Sequence, residues 1–178
     1  MAAKIHPRAN VHKGARLGDG VVVGPFVTIE PDVTIGPDCE LMVGAVIHRY
    51  TTMGSGNVVG PYSVLGGVPQ DYKFDADSVT HLRIGSGNVF REYVTLSRAT
   101  TLGGATVIGN DCFFMTQAHV GHDSVVADGV ILTNSVAIAG HVEIGAKAIL
   151  SAHTVVHQFC WVGERVMSRG NGGTTQHV

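Results

Sequence analysis

A large apolar residue, aliphatic in all but two cases, recurs at every sixth position through nearly the whole chain. The first run of this repeat has eleven members: Ile5, Val11, Leu17, Val23, Ile29, Ile35, Leu41, Ile47, Met53, Val59 and Leu65. The second run has fourteen: Ile84, Phe90, Leu96, Leu102, Ile108, Phe114, Val120, Val126, Leu132, Ile138, Ile144, Leu150, Val156 and Val162. Neither the helical period of about 3.6 residues nor the strand period of about 2 produces this spacing alone. A fixed period of this kind predicts a solenoid of stacked units.

A smaller residue stands four positions after each large one. The first members of this second series are Ala9, Ala15, Val21, Val27, Val33, Cys39, Ala45 and Thr51. Residues two apart on a strand face the same way. Each unit is therefore predicted to be a short strand with one small and one large inward side chain, followed by a turn. Glycine often follows the large residue, as at Gly18 and Gly24, and glycine favours turns.

The repeat is interrupted once and then ends. The spacing from Leu65 to Ile84 exceeds a whole number of units by one position, and the polar segment between them contains Pro69, which cannot donate to a sheet ladder. We expect an outward loop at residues 66–83, and loops on rigid scaffolds often carry function. Ser168 stands where the next large residue belongs, so we expect an irregular tail at 168–178. The whole chain, 1–178, is predicted to be one domain.

Charge and hydropathy exclude several classes of protein. The net charge of −2 provides no basic surface for nucleic acid. No apolar run reaches the length of about 18 residues that a membrane span needs, and the N-terminal segment lacks the apolar core of a signal peptide, which favours the cytoplasm. Only 15% of residues are charged, against about a quarter in ordinary soluble domains. Burial of surface between chains would explain this, and we expect a homotrimer.

The three cysteines are predicted to be packing residues. Cys39, Cys112 and Cys160 each stand at the small inward position of a unit, and no pair has the spacing of a zinc or redox motif. We expect no catalytic cysteine, no metal and no cofactor.

A group of histidines is predicted to gather on one side of the solenoid. If three units form one triangular coil, His122 stacks under Gly140, and Asp123 stacks under His141. His119 and His157 lie nearby in the same arrangement, and none of these residues occupies an inward position. Histidine titrates near neutral pH and suits acid–base chemistry. The alternative is an exposed histidine stripe that closes a subunit interface.

Four segments carry a resemblance to a known family: VPQDYK (68–73), TQAHVGHD (116–123), IAGHV (138–142) and VVHQFCWVG (155–163). They resemble the UDP-N-acetylglucosamine O-acyltransferases, which are hexapeptide-repeat acyltransferases. The resemblance implies a left-handed parallel β-helix of about eight triangular coils. It also implies transfer of a 3-hydroxyacyl group from acyl carrier protein to the 3-hydroxyl of UDP-N-acetylglucosamine, the first step of lipid A biosynthesis.

The resemblance also implies roles for individual residues. His122 matches the general base, Asp123 would orient its ring, and the Gly140 N–H matches the donor to the thioester oxyanion. Positions expected around the sugar nucleotide and the pantetheine arm are His119, His141, His157 and Gln158, together with Gln70, Asp71 and Lys73 on a loop from a neighbouring subunit. Met115 and Gly170 match the acyl-chain groove. Lys73, Arg165 and Arg169 are predicted to form a basic rim that steers the acidic carrier protein.

This chain departs from the family pattern in three respects. Ser97-Arg98-Ala99-Thr100 stands where the family usually reads HRGT, and Arg169 replaces the first residue of a usual glycine pair. The helical domain that follows the β-helix in the family, and supplies much of its nucleotide recognition, is expected to be absent.

Three other functions remain open. A γ-class carbonic anhydrase shares the fold, but its zinc ligands would need a histidine two regular coils before His119 or His122, where Arg83 and Ser86 stand. A hexapeptide acyltransferase with another donor or acceptor is the second. A non-catalytic trimeric β-helix is the third.

Overall fold

The computed structural model describes every residue from Met1 to Val178, and its regular structure consists of 25 short strands. Except for the last strand, successive strands belong to successive sheets, so the chain winds around three parallel sheets of eight, nine and eight strands. This confirms the left-handed parallel β-helix of about eight coils that the repeat and the resemblance predicted. No helix is long and apolar enough to span a membrane.

The strands are numbered along the chain. The first sheet contains β1 Lys4–Ile5, β4 Val22–Val23, β7 Glu40–Leu41, β10 Val58–Val59, β13 Val89–Phe90, β16 Phe113–Phe114, β19 Ile131–Leu132 and β22 Ile149–Leu150. The second contains β2 Asn10–Val11, β5 Thr28–Ile29, β8 Val46–Ile47, β11 Val64–Gly67, β14 Thr95–Ser97, β17 His119–Val120, β20 Ala137–Ile138, β23 Val155–Val156 and β25 Gly173–Thr174. The third contains β3 Arg16–Leu17, β6 Thr34–Ile35, β9 Thr51–Met53, β12 His81–Ile84, β15 Ala105–Ile108, β18 Val125–Val126, β21 Glu143–Ile144 and β24 Trp161–Val162.

The interior is filled by the two series of inward residues. From Val23 to Val162, every large member of the repeat except Leu102 is at most 5% exposed. The three cysteines are buried among the small members, as predicted. Burial raises the pKa of the Cys39 and Cys112 thiols, which keeps them in the unreactive protonated form.

Leu102 was predicted to be an inward member of the repeat, and this prediction is wrong. It is 78% exposed and lies between β14 and β15, not on a strand. Thr95 pairs with His119, so this coil is longer by one whole unit than a regular coil of three. The aliphatic residue at 102 coincides with the period but lies in a second outward segment, residues 98–104, which we call the short loop.

The first outward segment is narrower than the expected 66–83. Strand β11 extends to Gly67 and β12 begins at His81, so the connection consists of residues 68–80, which we call the long loop. Both loops leave the solenoid where the chain passes from the second sheet to the third. We call this edge of the prism the site corner. The same corner carries the predicted catalytic residues His122, Asp123 and Gly140 on the next two coils, and His157 and Gln158 on the third.

The tail at 168–178 is more ordered than expected. Strand β25 pairs in parallel with β23. The Val178 N–H donates to the Trp161 carbonyl at 3.0 Å, and the Gly163 N–H donates to the Val178 carbonyl at 2.6 Å. The last residues therefore cover the open end of the final coil.

Corner residues adopt left-handed backbone conformations. Asp123, His141 and Phe159 have φ of 57°, 58° and 62°, and they stack one coil apart on the site corner. Thirteen other non-glycine residues share this conformation, most of them at the matching turn position of other units. The conformation is therefore a property of the repeat and not strain confined to the site.

Candidate active site

His122 and Asp123 form a buried hydrogen-bonded pair in the site corner. The Nδ1 atom of His122 lies 2.8 Å from Oδ2 of Asp123. Only about a tenth of either side chain is exposed. Since the carboxylate accepts a hydrogen bond, Nδ1 carries the proton and Nε2 is left with the lone pair. A neutral imidazole held in this tautomer by a carboxylate is suited to act as a general base.

The short loop donates to the same carboxylate. The N–H and Oγ1 of Thr100 lie 2.9 and 2.6 Å from Oδ2, and the Thr101 N–H lies 3.2 Å from Oδ1. Burial raises the pKa of Asp123, but the hydrogen bonds from Thr100, His122 and Thr101 outweigh burial and hold the pKa well below its ordinary range. Asp123 is therefore an anion at neutral pH, and it stabilises positive charge on the His122 ring.

Gly140 lies directly against the His122 ring. A Cβ at position 140 would come within 2.5 Å of Cε1 and 2.6 Å of Nε2 of His122, closer than any side chain permits. Its N–H forms no hydrogen bond within the chain. The same turn position holds Pro7, Pro25, Pro31, Pro37 and Pro61 in earlier coils, which shows that the fold does not need this donor. The Gly140 N–H is thus free to bind a ligand.

His141 and Phe159 continue the site along the next two coils. The rings of His141 and His122 meet edge to face with centroids 5.1 Å apart. Phe159 stacks on the His141 ring, with centroids 4.8 Å apart and an interplanar angle of 12°. Nε2 of His141 lies 3.8 Å from Oδ2 of Asp123, so the carboxylate has a second imidazole within reach.

Two cavities open beside the His122–Asp123 pair. The larger, about 370 Å³, is lined by Gln70, Asp71, Tyr72, Lys73, His122, His141, Gln158 and Phe159. The smaller, about 170 Å³, is lined by Gln70, Ser97, His119, Gly121, His122, Ala139, Gly140 and Gln158. The long loop of the same chain therefore reaches His122. The loop leaves the same corner two coils before His122. An approach of Gln70, Asp71 and Lys73 to the site of a neighbouring subunit stays a prediction.

His119 lies on the second sheet next to the site corner. Its Nδ1 is 2.7 Å from Oγ1 of Thr95. Burial lowers the pKa of His119, and the neighbouring His122 adds to this effect, against the opposing hydrogen bond from Thr95. The residues stacked below His119 are Thr95 and Val64. Arg83 is therefore not the residue two coils below His119, because the two loops lengthen the coils that separate the two positions. The zinc-ligand position expected for a carbonic anhydrase was placed in the wrong register.

Several predicted residues lie away from these cavities. His157 is exposed, and its Nδ1 lies 3.2 Å from the Gln158 carbonyl. Met115 and Gly170 lie at the corner between the first and second sheets, across the second sheet from His122. Arg165 lies at the third corner, 3.4 Å from Glu164, and Arg169 lines a separate cavity near the chain end. The predicted basic rim with Lys73 is not assembled in one place.

Sequence reasoning missed Phe159 and the role of Thr100, and it named Ser97 only as a departure from the family pattern. Phe159 could have been found, because it stands one regular coil after His141. Thr100 could not, since its place beside Asp123 depends on the path of the short loop.

His122, Asp123 and His141 are also the group best placed to hold a metal ion, with ligand atoms within 4.8 Å of one another. Both carboxylate oxygens of Asp123 already accept hydrogen bonds from Thr100, Thr101 and His122. A cation would compete with these donors for the same lone pairs.

Known proteins that are similar to this chain are named as acyltransferases. It is 43% identical over 129 residues to the acyl-[acyl-carrier-protein]–UDP-N-acetylglucosamine O-acyltransferase of Anaeromyxobacter sp. (strain Fw109-5), covering 72% of this chain and 50% of that protein. The corresponding protein of Campylobacter concisus is 36% identical over 136 residues, which cover 76% of this chain and 52% of the relative. The chain spans about half the length of the curated relatives it matches. No protein-family profile matches the sequence.

Solved structures extend the match over nearly the whole chain. The UDP-N-acetylglucosamine acyltransferase of Bacteroides fragilis superposes with a TM-score of 0.95 at 38% identity, covering 98% of this chain and 68% of the other. The enzyme from Campylobacter jejuni superposes with a TM-score of 0.93 at 34% identity over the same shares. On sequence and structure together, the chain belongs to the UDP-N-acetylglucosamine O-acyltransferase family.

Proposed function

We propose that this chain transfers a 3-hydroxyacyl group from acyl carrier protein to the 3-hydroxyl of UDP-N-acetylglucosamine, in the first step of lipid A biosynthesis. The observation that carries the proposal is the buried His122–Asp123 pair on this family's fold, whose His122 ring lines two cavities beside the unpartnered Gly140 N–H. The names of the relatives support the donor and the acceptor.

His122 is the general base of the proposed reaction. Its Nε2 removes the proton of the sugar hydroxyl as the oxygen attacks the thioester carbonyl carbon. The C–S bond then breaks, and the imidazolium returns the proton to the departing thiolate of the pantetheine arm. Asp123 stabilises the imidazolium between these two proton transfers. Base catalysis of this kind contributes about 10²- to 10⁴-fold.

The Gly140 N–H is the proposed donor to the oxyanion that forms on the thioester carbonyl. Preorganised backbone donors suit this role because they need no reorganisation during the reaction. The missing side chain at Gly140 leaves room for the acyl carbon next to the His122 ring.

The polar residues of the larger cavity are proposed to bind the sugar nucleotide. Lys73 provides a positive charge for the diphosphate, while Gln70, Asp71, His141 and Gln158 provide donors and acceptors for the sugar. His119 in the smaller cavity and His157 beside Gln158 are assigned to the same set. Met115 and Gly170, across the second sheet, would line the path of a long acyl chain running along that face.

A homotrimer with this site near the boundary between chains is part of the proposal. The low fraction of charged residues supports burial of surface between copies, and light scattering that shows a monomer at micromolar concentration would contradict it. The cytoplasmic location stays a prediction.

The test is a steady-state assay with UDP-N-acetylglucosamine and a 3-hydroxyacyl carrier protein. His122→Ala should lower kcat by at least about 10²-fold with the fold intact, since the base is lost and the inward residues are unchanged. The matched control is His6→Ala, which alters an exposed histidine in the first coil, far from the site along the solenoid, and should keep parental turnover. Near-parental turnover of His122→Ala would refute the assignment of the base. An inactive parent chain would contradict the proposed function itself.

A further inference from the structure

The regular hydrogen bonding of the site corner is broken at Asp123. At the matching turn position of other units, the left-handed residue donates its N–H to a backbone carbonyl of the preceding coil. His141 does so to His122 at 2.9 Å on the site corner, and Gln117 does so to Glu92 at 3.0 Å on another corner. The Asp123 N–H instead donates to Oγ1 of Thr106 at 2.8 Å. The short loop carries the preceding corner outward, so the usual carbonyl is not there.

Side-chain hydrogen bonds take the place of the missing backbone contact. The carboxylate of Asp123 accepts from the N–H and Oγ1 of Thr100, and both donors reach Oδ2. Oδ2 is the same oxygen that accepts from Nδ1 of His122. The hydroxyl contact, at 2.6 Å, is the shortest of the three. Thr100 therefore determines where the oxygen that faces His122 lies.

A second acceptor geometry is available to this carboxylate. Nε2 of His141 lies 3.8 Å from Oδ2 of Asp123, beyond hydrogen-bond length but within reach of a small rotation of the side chain. If the carboxylate turned toward His141, the hydrogen bond that holds the proton on Nδ1 of His122 would weaken. The short loop opposes that rotation.

We propose that Thr100 is a positioning residue, whose hydroxyl holds Oδ2 of Asp123 against Nδ1 of His122 and so keeps the lone pair on Nε2 of His122. This inference rests on the proposed function, in which that lone pair accepts the proton of the sugar hydroxyl. Charge-assisted hydrogen bonds are among the stronger ones in proteins, which suits a residue that fixes a carboxylate. The competing explanation is that the contact only fastens the short loop to the solenoid.

Two substitutions of Thr100 separate positioning from a structural role. Thr100→Val keeps the shape and the backbone N–H but removes the hydroxyl, whereas Thr100→Ser keeps the hydroxyl. We expect Thr100→Val to lower kcat by about 10-fold with little change in KM. We expect Thr100→Ser to keep most of the parental kcat. The matched control is Ser55→Ala, which also removes a hydroxyl hydrogen bond, between its Oγ and Oγ of Ser86 at 3.4 Å, but at the corner between the third and first sheets.

A spectroscopic measurement makes the test independent of activity. Side-chain ¹⁵N–¹H correlation spectra at about pH 8, assigned with His122→Gln, report which nitrogen of His122 carries the proton. The parent chain and Thr100→Ser should show the Nδ1–H form, and Thr100→Val should show an increased share of the Nε2–H form. A Thr100→Val protein that melts at a lower temperature but keeps the parental tautomer and kcat would overturn the proposal. If the parent chain is inactive, the proposed function fails, while the tautomer still decides the role of Thr100.

Discussion

At the scale of single residues, the site depends on how little space separates Gly140 from His122. The ring is held by Asp123 on one side, while the backbone of the next coil lies against its other edge. A rigid ring of this kind cannot move aside for a neighbour at small cost. The absence of a side chain at 140 is therefore as necessary to the proposed chemistry as the histidine itself.

We predict that Gly140→Ala lowers kcat by about 10²-fold, which is the scale of losing a positioned base. The new methyl group would lie 2.5–2.9 Å from three atoms of the His122 ring, so the ring must shift and lengthen its bond to Asp123. The control is Gly173→Ala, because no atom lies within 4 Å of a Cβ at that position. Equal turnover of Gly140→Ala and the parent in the steady-state assay would show that the ring is not held as described.

At the scale of elements, Arg98 joins the two loops of the site corner. Its side chain is buried, with the residue only 2% exposed, and Nη2 donates to the Ala76 carbonyl of the long loop at 3.1 Å. The guanidinium lies 5.5 Å from the Phe74 ring and 5.4 Å from the Tyr50 ring. The short loop thus holds the long loop through Arg98 and the Asp123 carboxylate through Thr100.

We predict that Arg98→Met loosens the long loop and speeds trypsin cleavage after Lys73, because methionine keeps much of the apolar stem but cannot donate to Ala76. The KM for the sugar nucleotide should rise, since Gln70, Asp71 and Lys73 line the larger cavity.

The matched control for this experiment is Arg49→Met. Arg49 lies over the other partner ring, Tyr50, at 4.8 Å, but it pairs with Asp32 and not with the long loop. If cleavage after Lys73 is as slow in Arg98→Met as in Arg49→Met, Arg98 does not hold the loop.

At the scale of the whole molecule, each coil contacts mainly the coils before and after it, through ladders of parallel strands. Stability in such a solenoid is a sum of units and the interfaces between them. Groups near the stacked ladders therefore influence the free energy of unfolding even when they belong to the site. His119 is one such group, because it lies on the second sheet and is largely buried.

We predict that His119 makes the chain less stable as the pH falls below about 6.5. Burial, together with the nearby His122, lowers the pKa of His119 in the folded chain below its ordinary value of 6.5. At a pH below 6.5, His119 is protonated in the unfolded chain but resists protonation in the folded chain, so lowering the pH favours unfolding. His119→Gln should therefore lose less stability than the parent between about pH 7.5 and 5.5, measured by urea unfolding. An equal loss in both proteins would contradict this.

The solenoid was predictable from the sequence because its determinants are local and periodic. Each unit needs one large and one small inward residue and a turn, and these are visible in nearly every unit from Val23 onward. The stacking of Gly140 over His122 followed from the same arithmetic, since no insertion separates those coils. Leu102 shows the limit of the method, because a residue that matches the period by coincidence cannot be told from a member of the core.

The sequence by itself therefore determined the fold, the buried cysteines and the pairing of His122 with Gly140 on neighbouring coils. Only the tertiary structure decided the positions of the long and short loops over the site, the contacts of Thr100 and Arg98, and the separation of Met115 and Gly170 from the His122 cavities. The physical reason is that loop residues have no repeat to follow. Their conformation is set by hydrogen bonds and packing with residues from other coils, such as Asp123 with Thr100 and Arg98 with Ala76.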